Sequence, residues 1–224
     1  MTADIWAAVP VKEFAGAKQR LASLLEPEQR QALAAAMLED VLAALVDAPL
    51  GGIMVNTVDP IAGELARRYG ARVVTEAARD GHTGAVMVMA RILGREGRQG
   101  MLTLPGDIPR VTSTEIAAVV NARRPVPSVT IVPAHDERGS NAVLCVPPTV
   151  MQLRFGDDSF LPHLAAARAL GMEPTIVKLP GIGLDIDQPQ DLRAFMQAAP
   201  PMATRTYLML AGSMGGAASP THPR

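Results

Sequence analysis

Short apolar runs alternate with longer amphipathic segments along most of this chain, and that alternation limits its fold more than any other feature. Runs such as residues 5–11 hardly alternate between polar and apolar side chains, which indicates strands buried on both faces. The longer segments place apolar residues at helical spacing, as Leu33, Met37 and Val41 do. Strands that alternate with helices predict an α/β domain with a mostly parallel sheet.

The pattern also places the individual elements along the chain. Strands are predicted at residues 5–11, 53–57, 72–75, 101–104, 129–133, 141–146 and 174–179. Helices are predicted at residues 27–45, 61–69, 83–93, 112–121, 160–171 and 191–197. A polar loop joins the strands at 129–133 and 141–146, so we expect these two to pair antiparallel at an edge of the otherwise parallel sheet.

The length of 224 residues predicts one domain, which we place at residues 1–212. Pro, Gly, Ser, Ala and Met dominate the end of the chain, so residues 213–224 are expected to form a disordered tail. The apolar run Tyr207–Leu210 has two interpretations. It packs on a neighbouring subunit of a homodimer, or it is a frayed apolar end.

The charge balance limits the classes of partner. The chain has 21 Lys and Arg residues against 22 Asp and Glu, a net charge of −1, so it has no overall field for binding nucleic acid or an anionic membrane. Glu39 and Asp40 interrupt the apolar stretch 33–46, which is too short to span a membrane. A single cysteine, Cys145, excludes an internal disulfide and indicates a reducing compartment, so we expect a cytoplasmic protein.

Ligands of an open parallel sheet bind beyond the carboxyl ends of its strands, where the sequence places a first polar cluster. Lys12, Gly16, Lys18 and Arg20 follow the first predicted strand. Cations and free backbone N–H groups suit a polyphosphate. The alternative is a solvated basic loop, because the segment is neither a Walker loop nor the dinucleotide glycine motif.

Carboxylates form the second and third clusters. Asp107 follows the strand at 101–104 and suits a hard cation, or it caps a turn. Asp185 and Asp187 are two residues apart, so on extended backbone they share a face and repel each other unless a cation or proton lies between them. Alternatively, one of them caps the helix that begins near Asp191. Together the three acidic groups suit Mg²⁺-dependent phosphoryl or nucleotidyl transfer.

Two further segments are candidate substrate loops. Residues 138–141 offer a cation, a flexible backbone and two hydrogen-bonding side chains, and residues 155–160 lead into a helix with Ser159 at its expected N-cap. Ordinary turn chemistry is the alternative for both. The histidines show no metal-ligand spacing with one another or with Cys145: His82, His135, His163 and His222.

Five motifs occur in order along the chain. They are Val9-Pro10-Val11-Lys12 with Ala17-Lys18-Gln19-Arg20-Leu21; Leu104-Pro105-Gly106-Asp107-Ile108-Pro109; Ser140-Asn141-Ala142; Arg154-Phe155-Gly156 with Ser159-Phe160 and His163-Leu164; and Leu184-Asp185-Ile186-Asp187-Gln188-Pro189 with Asp191-Leu192. In this order they resemble the 2-phospho-L-lactate guanylyltransferase family of coenzyme F-420 biosynthesis. The resemblance covers residues 6–195.

The resemblance implies a three-layer, Rossmann-like nucleotidyltransferase fold, similar to that of the glycosyltransferase-A enzymes. It implies Mg²⁺ as cofactor, GTP as donor, and 2-phospho-L-lactate, phosphoenolpyruvate or 3-phospho-D-glycerate as acceptor. The implied metal ligands are Asp107, Asp185 and Asp187. The implied acceptor-binding residues are Ser140 or Asn141, Gly156 and Ser159. The implied catalytic residues are Asp107 and the cations of the triphosphate loop, Lys12, Lys18 and Arg20.

One segment departs from the family pattern. Family members carry a Gly-Leu-Asn-like element before the helix that follows the third strand, whereas this chain has Asp80-Gly81-His82-Thr83-Gly84. The element lies where a nucleotide would be read, so the departure puts base preference in question. Two alternatives to a guanylyltransferase follow: a nucleotidyltransferase of the same fold with another donor or acceptor, such as a cytidylyl or sugar-nucleotide enzyme, and a nucleotide-binding protein without catalysis.

Overall fold

The computed structural model describes residues 4–156, 158–197 and 204–215. Within these ranges the chain forms one seven-stranded sheet with the order β3-β2-β1-β4-β6-β5-β7. The strands are β1 (Ile5–Pro10), β2 (Gly52–Asn56), β3 (Arg72–Val74), β4 (Gly100–Thr103), β5 (Ser128–Pro133), β6 (Ser140–Val146) and β7 (Thr175–Ile176).

Most neighbouring strands are parallel. β1 pairs in parallel with β2 and β4, β2 with β3, and β5 with β7. β6 is antiparallel to both β4 and β5, and its register with β5 sets Val129 opposite Cys145 and Ile131 opposite Val143. The predicted α/β fold, with a mostly parallel sheet and an antiparallel pair toward one edge, is confirmed.

Helices connect the strands. They are α1 (Pro27–Val46), α2 (Pro60–Arg68), α3 (Gly81–Arg95), α4 (Ser113–Asn121), α5 (Phe160–Ala169), α6 (Pro189–Gln197) and α7 (Arg205–Gly215). The longest, α1, has Pro27 in its first turn. Proline is tolerated there because the backbone N–H that it lacks would have no partner inside the helix. Its start is also stabilised by a capping box, in which the side chains of Glu26 and Gln29 accept from each other's backbone N–H.

Apolar clusters cover both faces of the sheet. On one face Val9 of β1 belongs to the same buried cluster as Leu42 of α1 and Ile116 of α4. On the other face Met54 of β2 belongs to a cluster with Met89 of α3. Burying one such side chain contributes roughly 1.5–3 kcal/mol to stability. The resulting helix–sheet–helix layers confirm the three-layer architecture.

A third apolar cluster lies between α1, α6 and α7. It includes Leu33 and Met37 of α1, Phe195 of α6 and Leu210 of α7, which is fully buried. Tyr207, Met209 and Leu210 pack on their own chain, so the interpretation of a frayed end is wrong. Leu208 of the same run is 62% exposed, and the subunit contact of a homodimer stays a prediction.

Some element boundaries differ from the predicted ones. The strand predicted at 174–179 is reduced to Thr175–Ile176, because this edge strand has only β5 as a partner. Helix α3 begins at Gly81, two residues before the predicted start, and α5 ends at Ala169. Helix α7 continues through Gly215, three residues into the predicted tail, and the remainder of that tail lies outside the described residues.

Cys145 of β6 is fully buried, and burial raises the pKa of its thiol to about 12, as befits the core residue that its strand position predicts. In the part of the chain that the structure describes, no helix combines the length and the apolar character needed to cross a membrane.

Candidate active site

Two adjoining clefts open where the parallel strands reach their carboxyl ends. The first, of about 880 Å³, is lined by residues 10–18, which follow β1, and by 105–107, which follow β4. The second, of about 800 Å³, is lined by residues 138–141 and by the acidic loop at 185–187. Side chains that line both clefts include Lys12, His82, Asp107 and Asp187.

Lys18 lines the first cleft and bonds to two residues that line both clefts. It stands between two turns of 3₁₀ helix with a φ of 52°, a left-handed conformation that residues with a side chain seldom adopt. Its ammonium nitrogen lies 2.7 Å from Oδ2 of Asp107 and 2.7 Å from Oδ1 of Asp187. The Lys18 side chain is only 9% exposed. The structure thus brings one predicted phosphate-binding cation together with two of the predicted metal ligands.

Lys18, Asp107 and Asp187 form an ion-paired triad, in which the ammonium and the two carboxylates stabilise each other's charged forms. Burial lowers the pKa of Lys18, but the nearby carboxylates of Asp107 and Asp187 outweigh burial and raise it overall. Burial raises the pKa of Asp187, but the Lys18 ammonium outweighs that effect and lowers it overall. Lys18 and Asp187 are therefore both ionised near neutral pH.

The other two predicted cations, Lys12 and Arg20, are exposed. Both line the second cleft, and Lys12 also lines the first. Their charges are near enough to lower the pKa of Asp187 further. All three cations line a cleft, but only Lys18 is buried in ion pairs, whereas Lys12 and Arg20 are exposed, as the alternative of a solvated basic loop also predicts.

The acidic loop is held by an apolar residue between its two carboxylates. Ile186 is fully buried in the third apolar cluster, while Asp185 and Asp187 on either side of it line the second cleft. The carboxylate of Asp191 accepts from the backbone N–H of Asp187 and of Gln188, at 3.1 and 2.7 Å. The alternative that one of the two cleft carboxylates caps α6 is wrong, because their side chains bond elsewhere.

Asp107 follows β4 and faces the same acidic loop. Its backbone carbonyl accepts from the N–H of Ile186 at 3.1 Å, which ties the two loops together. Its Oδ2 accepts from Lys18, and its Oδ1 is buried with no hydrogen-bond partner among the residues that the structure describes. The N-cap of α4 is Thr112, whose hydroxyl accepts from Glu115 N, so the side chain of Asp107 does not cap that helix.

Asp185 bonds to a residue of β6. The side-chain amide of Asn141 donates to Asp185 Oδ1 at 3.1 Å and to the carbonyl of Ile182 at 2.9 Å. Burial raises the pKa of Asp185, and the negative charge of Asp107 raises it further. Asn141 is thus a support for the acidic loop as well as a predicted acceptor-binding residue.

The remaining predicted acceptor residues meet at the second cleft. The backbone N–H of Ser140 donates to Oγ of Ser159 at 3.0 Å, so Ser159 stands at the N-cap of α5 without capping it. Gly156 lines the cleft too. A Cβ on Gly156 would contact nothing within 4 Å, and its φ is not left-handed, so neither packing nor backbone conformation requires glycine there.

Sequence reasoning missed four residues around the second cleft. The rings of His82 and Phe155 lie 4.4 Å apart, those of Phe155 and His163 lie 5.0 Å apart, and Thr83 Oγ1 accepts from Phe155 N at 2.9 Å. The sequence placed His82 and Thr83 in the departing segment 80–84 and Phe155 and His163 in the fourth motif, but it assigned none of these four residues a role. The signal that could have found His163 is its place inside the fourth motif, four residues after Ser159.

Residues 5–215 match the sequence profile of a family described as "Guanylyl transferase CofC like". The chain belongs to this family. Two curated relatives of this CofC-like chain carry different acceptor names. The phosphoenolpyruvate guanylyltransferase of Rubrobacter xylanophilus is 35% identical over 189 residues, which are 84% of this chain and 92% of the relative. The 3-phospho-D-glycerate guanylyltransferase of Colwellia psychrerythraea is 34% identical over 195 residues, which are 87% and 92% of the two chains.

Solved structures show the same fold for the CofC-like chain. A protein from Desulfovibrio desulfuricans G20, assigned provisionally as a nucleotide-diphospho-sugar transferase, superposes with a TM-score of 0.76. The superposition covers 95% of this chain and 96% of that one, at 15% identity. At an identity this low the superposition is evidence for the fold alone. It confirms the nucleotidyltransferase-like architecture that the sequence resemblance implied.

The segment that departs from the family pattern lies between the two clefts of this CofC-like chain. His82 lines both clefts, whereas Thr83 lines the second. Both side chains contact Phe155 of the predicted acceptor segment, through ring packing and through the hydrogen bond to Thr83. Burial lowers the pKa of His82 to about 4, so its ring is neutral near pH 7. The departure therefore touches the acceptor side as well as the predicted nucleotide side.

The predicted magnesium ligands offer oxygen atoms to a cation but do not enclose one by themselves. Within residues 4–156, 158–197 and 204–215, no group of three His, Cys, Asp or Glu side chains is arranged to hold a metal by itself. Asp107 nevertheless presents a buried oxygen without a partner, beside the carboxylates of Asp185 and Asp187. Mg²⁺ commonly takes one or two carboxylates and completes its octahedron with phosphates and water, so these oxygens fit it.

Proposed function

We propose that this protein transfers the guanylyl group of GTP to the phosphate of phosphoenolpyruvate or 3-phospho-D-glycerate, with release of pyrophosphate. The carrying observation is the pairing of the basic loop with the acidic loop, Lys18 against Asp107 and Asp187, at the junction of two clefts. Membership of the CofC-like family and the names of the relatives support guanylyl transfer to these acids. 2-Phospho-L-lactate is the third acceptor to be tested.

The two clefts suggest how two substrates lie side by side. The first cleft is bounded by the basic loop, residues 10–18, and would take the nucleotide with its triphosphate near Lys12 and Lys18. The second cleft presents Ser140, Gly156 and Ser159 and would take the phosphorylated acid. The reacting phosphates would meet along the wall that the clefts share, which supports transfer between two bound substrates.

The reaction needs no side-chain base. An oxygen of the acceptor's phosphate is already anionic at neutral pH, and it attacks the α-phosphorus of GTP in line with the bond to the β-phosphate. A P–O bond forms between acceptor and α-phosphorus, the bond from the α-phosphorus to the bridging oxygen breaks, and its electron pair leaves on pyrophosphate. Catalysis is then positioning of the reactants and neutralisation of charge.

The side chains that would neutralise this charge are those of the triad and its neighbours. Lys12, Lys18 and Arg20 offset charge on the departing pyrophosphate. Asp107, Asp185 and Asp187 would hold Mg²⁺, which when bound supplies positive charge to the phosphate oxygens. Lys18 gives two of its three N–H donors to these carboxylates, which leaves one donor for a phosphate oxygen.

The product of such a transfer is an acid joined to guanosine by a diphosphate. We place the reaction in the biosynthesis of the deazaflavin coenzyme F-420, on the ground of the family resemblance. In a later reaction a nucleophile would attack the phosphorus next to the acid, the bond from that phosphorus to the bridging oxygen would break, and guanosine monophosphate would depart as a stable anion.

The test is a matrix of donors and acceptors. Purified protein with Mg²⁺ is incubated with GTP, ATP, CTP or UTP and with each of the three acids, and pyrophosphate is measured. The proposal expects pyrophosphate with GTP and at least one acid, and none when the acid is omitted. Release with CTP in preference to GTP would replace the proposal by the cytidylyl alternative. Nucleotide binding without pyrophosphate release from any pair of donor and acceptor would support the alternative of a nucleotide-binding protein without catalysis.

A further inference from the structure

His163, in the first turn of α5, is buried behind the wall of the second cleft with 1% of its surface exposed. Both ring nitrogens have partners. Nδ1 lies 3.0 Å from Oγ of Ser140, and Nε2 lies 3.1 Å from the backbone nitrogen of Arg154. The ring also packs edge-on to Phe155. A buried imidazole with two bonds of this kind is held in one orientation.

The partners of the ring decide its tautomer. A backbone N–H can only donate, so Nε2 of His163 accepts from Arg154 and carries no proton. Burial lowers the pKa of His163 to about 4, with a smaller contribution from His82, so the ring is neutral near pH 7. A neutral imidazole with a bare Nε2 has its proton on Nδ1. The bond from Nδ1 to Ser140 is therefore a donation to the serine hydroxyl.

That donation fixes the direction of the Ser140 hydroxyl. Oγ of Ser140 accepts from His163, so its own proton must be given elsewhere, and Ser140 lines the second cleft. Oγ of Ser159 likewise accepts, from Ser140 N, and it lines the same cleft. Each hydroxyl has one proton to donate. Two hydroxyl groups that each accept one hydrogen bond from the protein, and each keep a proton to donate, suit an oxyanion in that cleft.

We propose that His163 is a positioning residue, which holds the hydroxyl of Ser140 as a hydrogen-bond donor to an oxyanion of the phosphorylated acid. The proposal rests on the proposed function, because it takes the second cleft as the acceptor site. His163 itself does not touch the acid. Its effect passes through Ser140, so removing either side chain removes the same interaction.

This dependence gives a double-mutant test with acid binding as the readout. Phosphoenolpyruvate and 3-phospho-D-glycerate are titrated calorimetrically, with Mg²⁺, into wild type, Ser140→Ala, His163→Phe and the double variant. A hydrogen bond to a charged oxygen is worth ~10- to ~100-fold in binding, so Ser140→Ala should raise the dissociation constant by that factor. His163→Phe should weaken it by ~10-fold, and the double variant should be no weaker than Ser140→Ala alone.

A conservative variant separates positioning from packing. His163→Asn places an amide N–H near the site of Nδ1 and should retain binding within ~3-fold, whereas His163→Phe keeps the ring volume and loses the donor. The melting temperature of each variant verifies folding, and the Michaelis constant for GTP should stay unchanged. Losses that add in the double variant, or an Asn variant as weak as the Phe variant, would overturn the proposal.

Failure of the positioning role of His163 can be distinguished from failure of the proposed guanylyl transfer. Pyrophosphate release by the wild type tests guanylyl transfer, while coupling between Ser140 and His163 in acid binding tests the positioning role. If the wild type binds an acid but releases no pyrophosphate, the function fails and the coupling still decides the role of His163. If neither acid binds, both proposals are overturned.

Discussion

The ammonium nitrogen of Lys18 lies 2.7 Å from Oδ1 of Asp187, and it is equally close to Oδ2 of Asp107. This contact joins the loop after β1 to a loop 169 residues further along the chain. One cation against two carboxylates leaves a net charge of −1 at the place where a triphosphate and a divalent cation are proposed to bind. Lys18 is thus a counter-ion for both carboxylates.

Replacing Lys18 by Met should make the protein depend on divalent ions for stability. The variant leaves Asp107 and Asp187 facing each other without a cation, which should cost about 1–2 kcal/mol, less than a fully buried pair because Asp187 is 44% exposed. Mg²⁺ should then raise the melting temperature more in Lys18→Met than in wild type. Lys178→Met, which removes an exposed ion pair with Glu137, is the control. Equal Mg²⁺ effects in all three proteins would show that Lys18 does not occupy the cation position.

Replacing Asp107 by Asn should abolish turnover and leave the fold intact. The amide keeps the shape of the side chain and an acceptor for Lys18, but it removes the negative charge from the unpartnered oxygen. We expect pyrophosphate release to fall by ~10²-fold or more, as it does when a charge-stabilising group is removed from an active site. Asp47→Asn, on the exposed end of α1, should change nothing. Release near the wild-type rate from Asp107→Asn would remove this residue from the mechanism.

Thr83→Val should weaken acceptor use selectively. Thr83 Oγ1 accepts from the backbone N–H of Phe155, so valine leaves that N–H without its partner and loosens the acceptor segment. The loss of one such bond, about 1 kcal/mol, predicts a roughly 5-fold rise in the Michaelis constant for the acid. The constant for GTP should change much less, and Thr83→Ser should behave like wild type. If the GTP constant rises instead, the departure at 80–84 acts on the nucleotide.

Acid should destabilise the fold through His163. The unfolded imidazole has a pKa near 6.5, whereas burial holds the folded one at about 4, so below pH 6.5 the unfolded chain binds a proton that the folded chain does not. His163 therefore makes the free energy of unfolding fall by about 2 kcal/mol between pH 7 and pH 5, and His82, whose pKa burial also lowers to about 4, adds to that loss. Denaturant unfolding should show a smaller loss in His163→Asn and an unchanged loss in His135→Asn, whose ring is exposed. Equal losses in wild type and His163→Asn would contradict this assignment.

Much of the architecture follows from local pattern. Helix α1 begins at Pro27 as predicted, because proline at the first turn and a regular apolar stripe are both local signals. The antiparallel β5–β6 pair was predictable because only a polar loop separates the strands. The strand at β7 was overestimated, because pairing at an edge depends on a partner strand that the local sequence does not reveal.

The site was predictable as a set of residues and not as a set of contacts. The sequence placed cations after β1 and carboxylates in two later loops, and all line the two clefts. That Lys18 bonds to both Asp107 and Asp187 depends on the order of the strands, which no spacing encodes. His163 was overlooked for the same reason, since its partner Ser140 is 23 residues away on another element.

The most direct test of guanylyl transfer follows a label on the α-phosphorus of GTP. Wild-type protein is incubated with Mg²⁺, phosphoenolpyruvate or 3-phospho-D-glycerate, and GTP labelled on its α-phosphorus, and the products are separated by chromatography. The account predicts that the label moves to a new compound joining guanosine and the acid through a diphosphate, with one equivalent of unlabelled pyrophosphate. Label that remains in GTP with every acid, or that appears only in GMP or GDP, would contradict it.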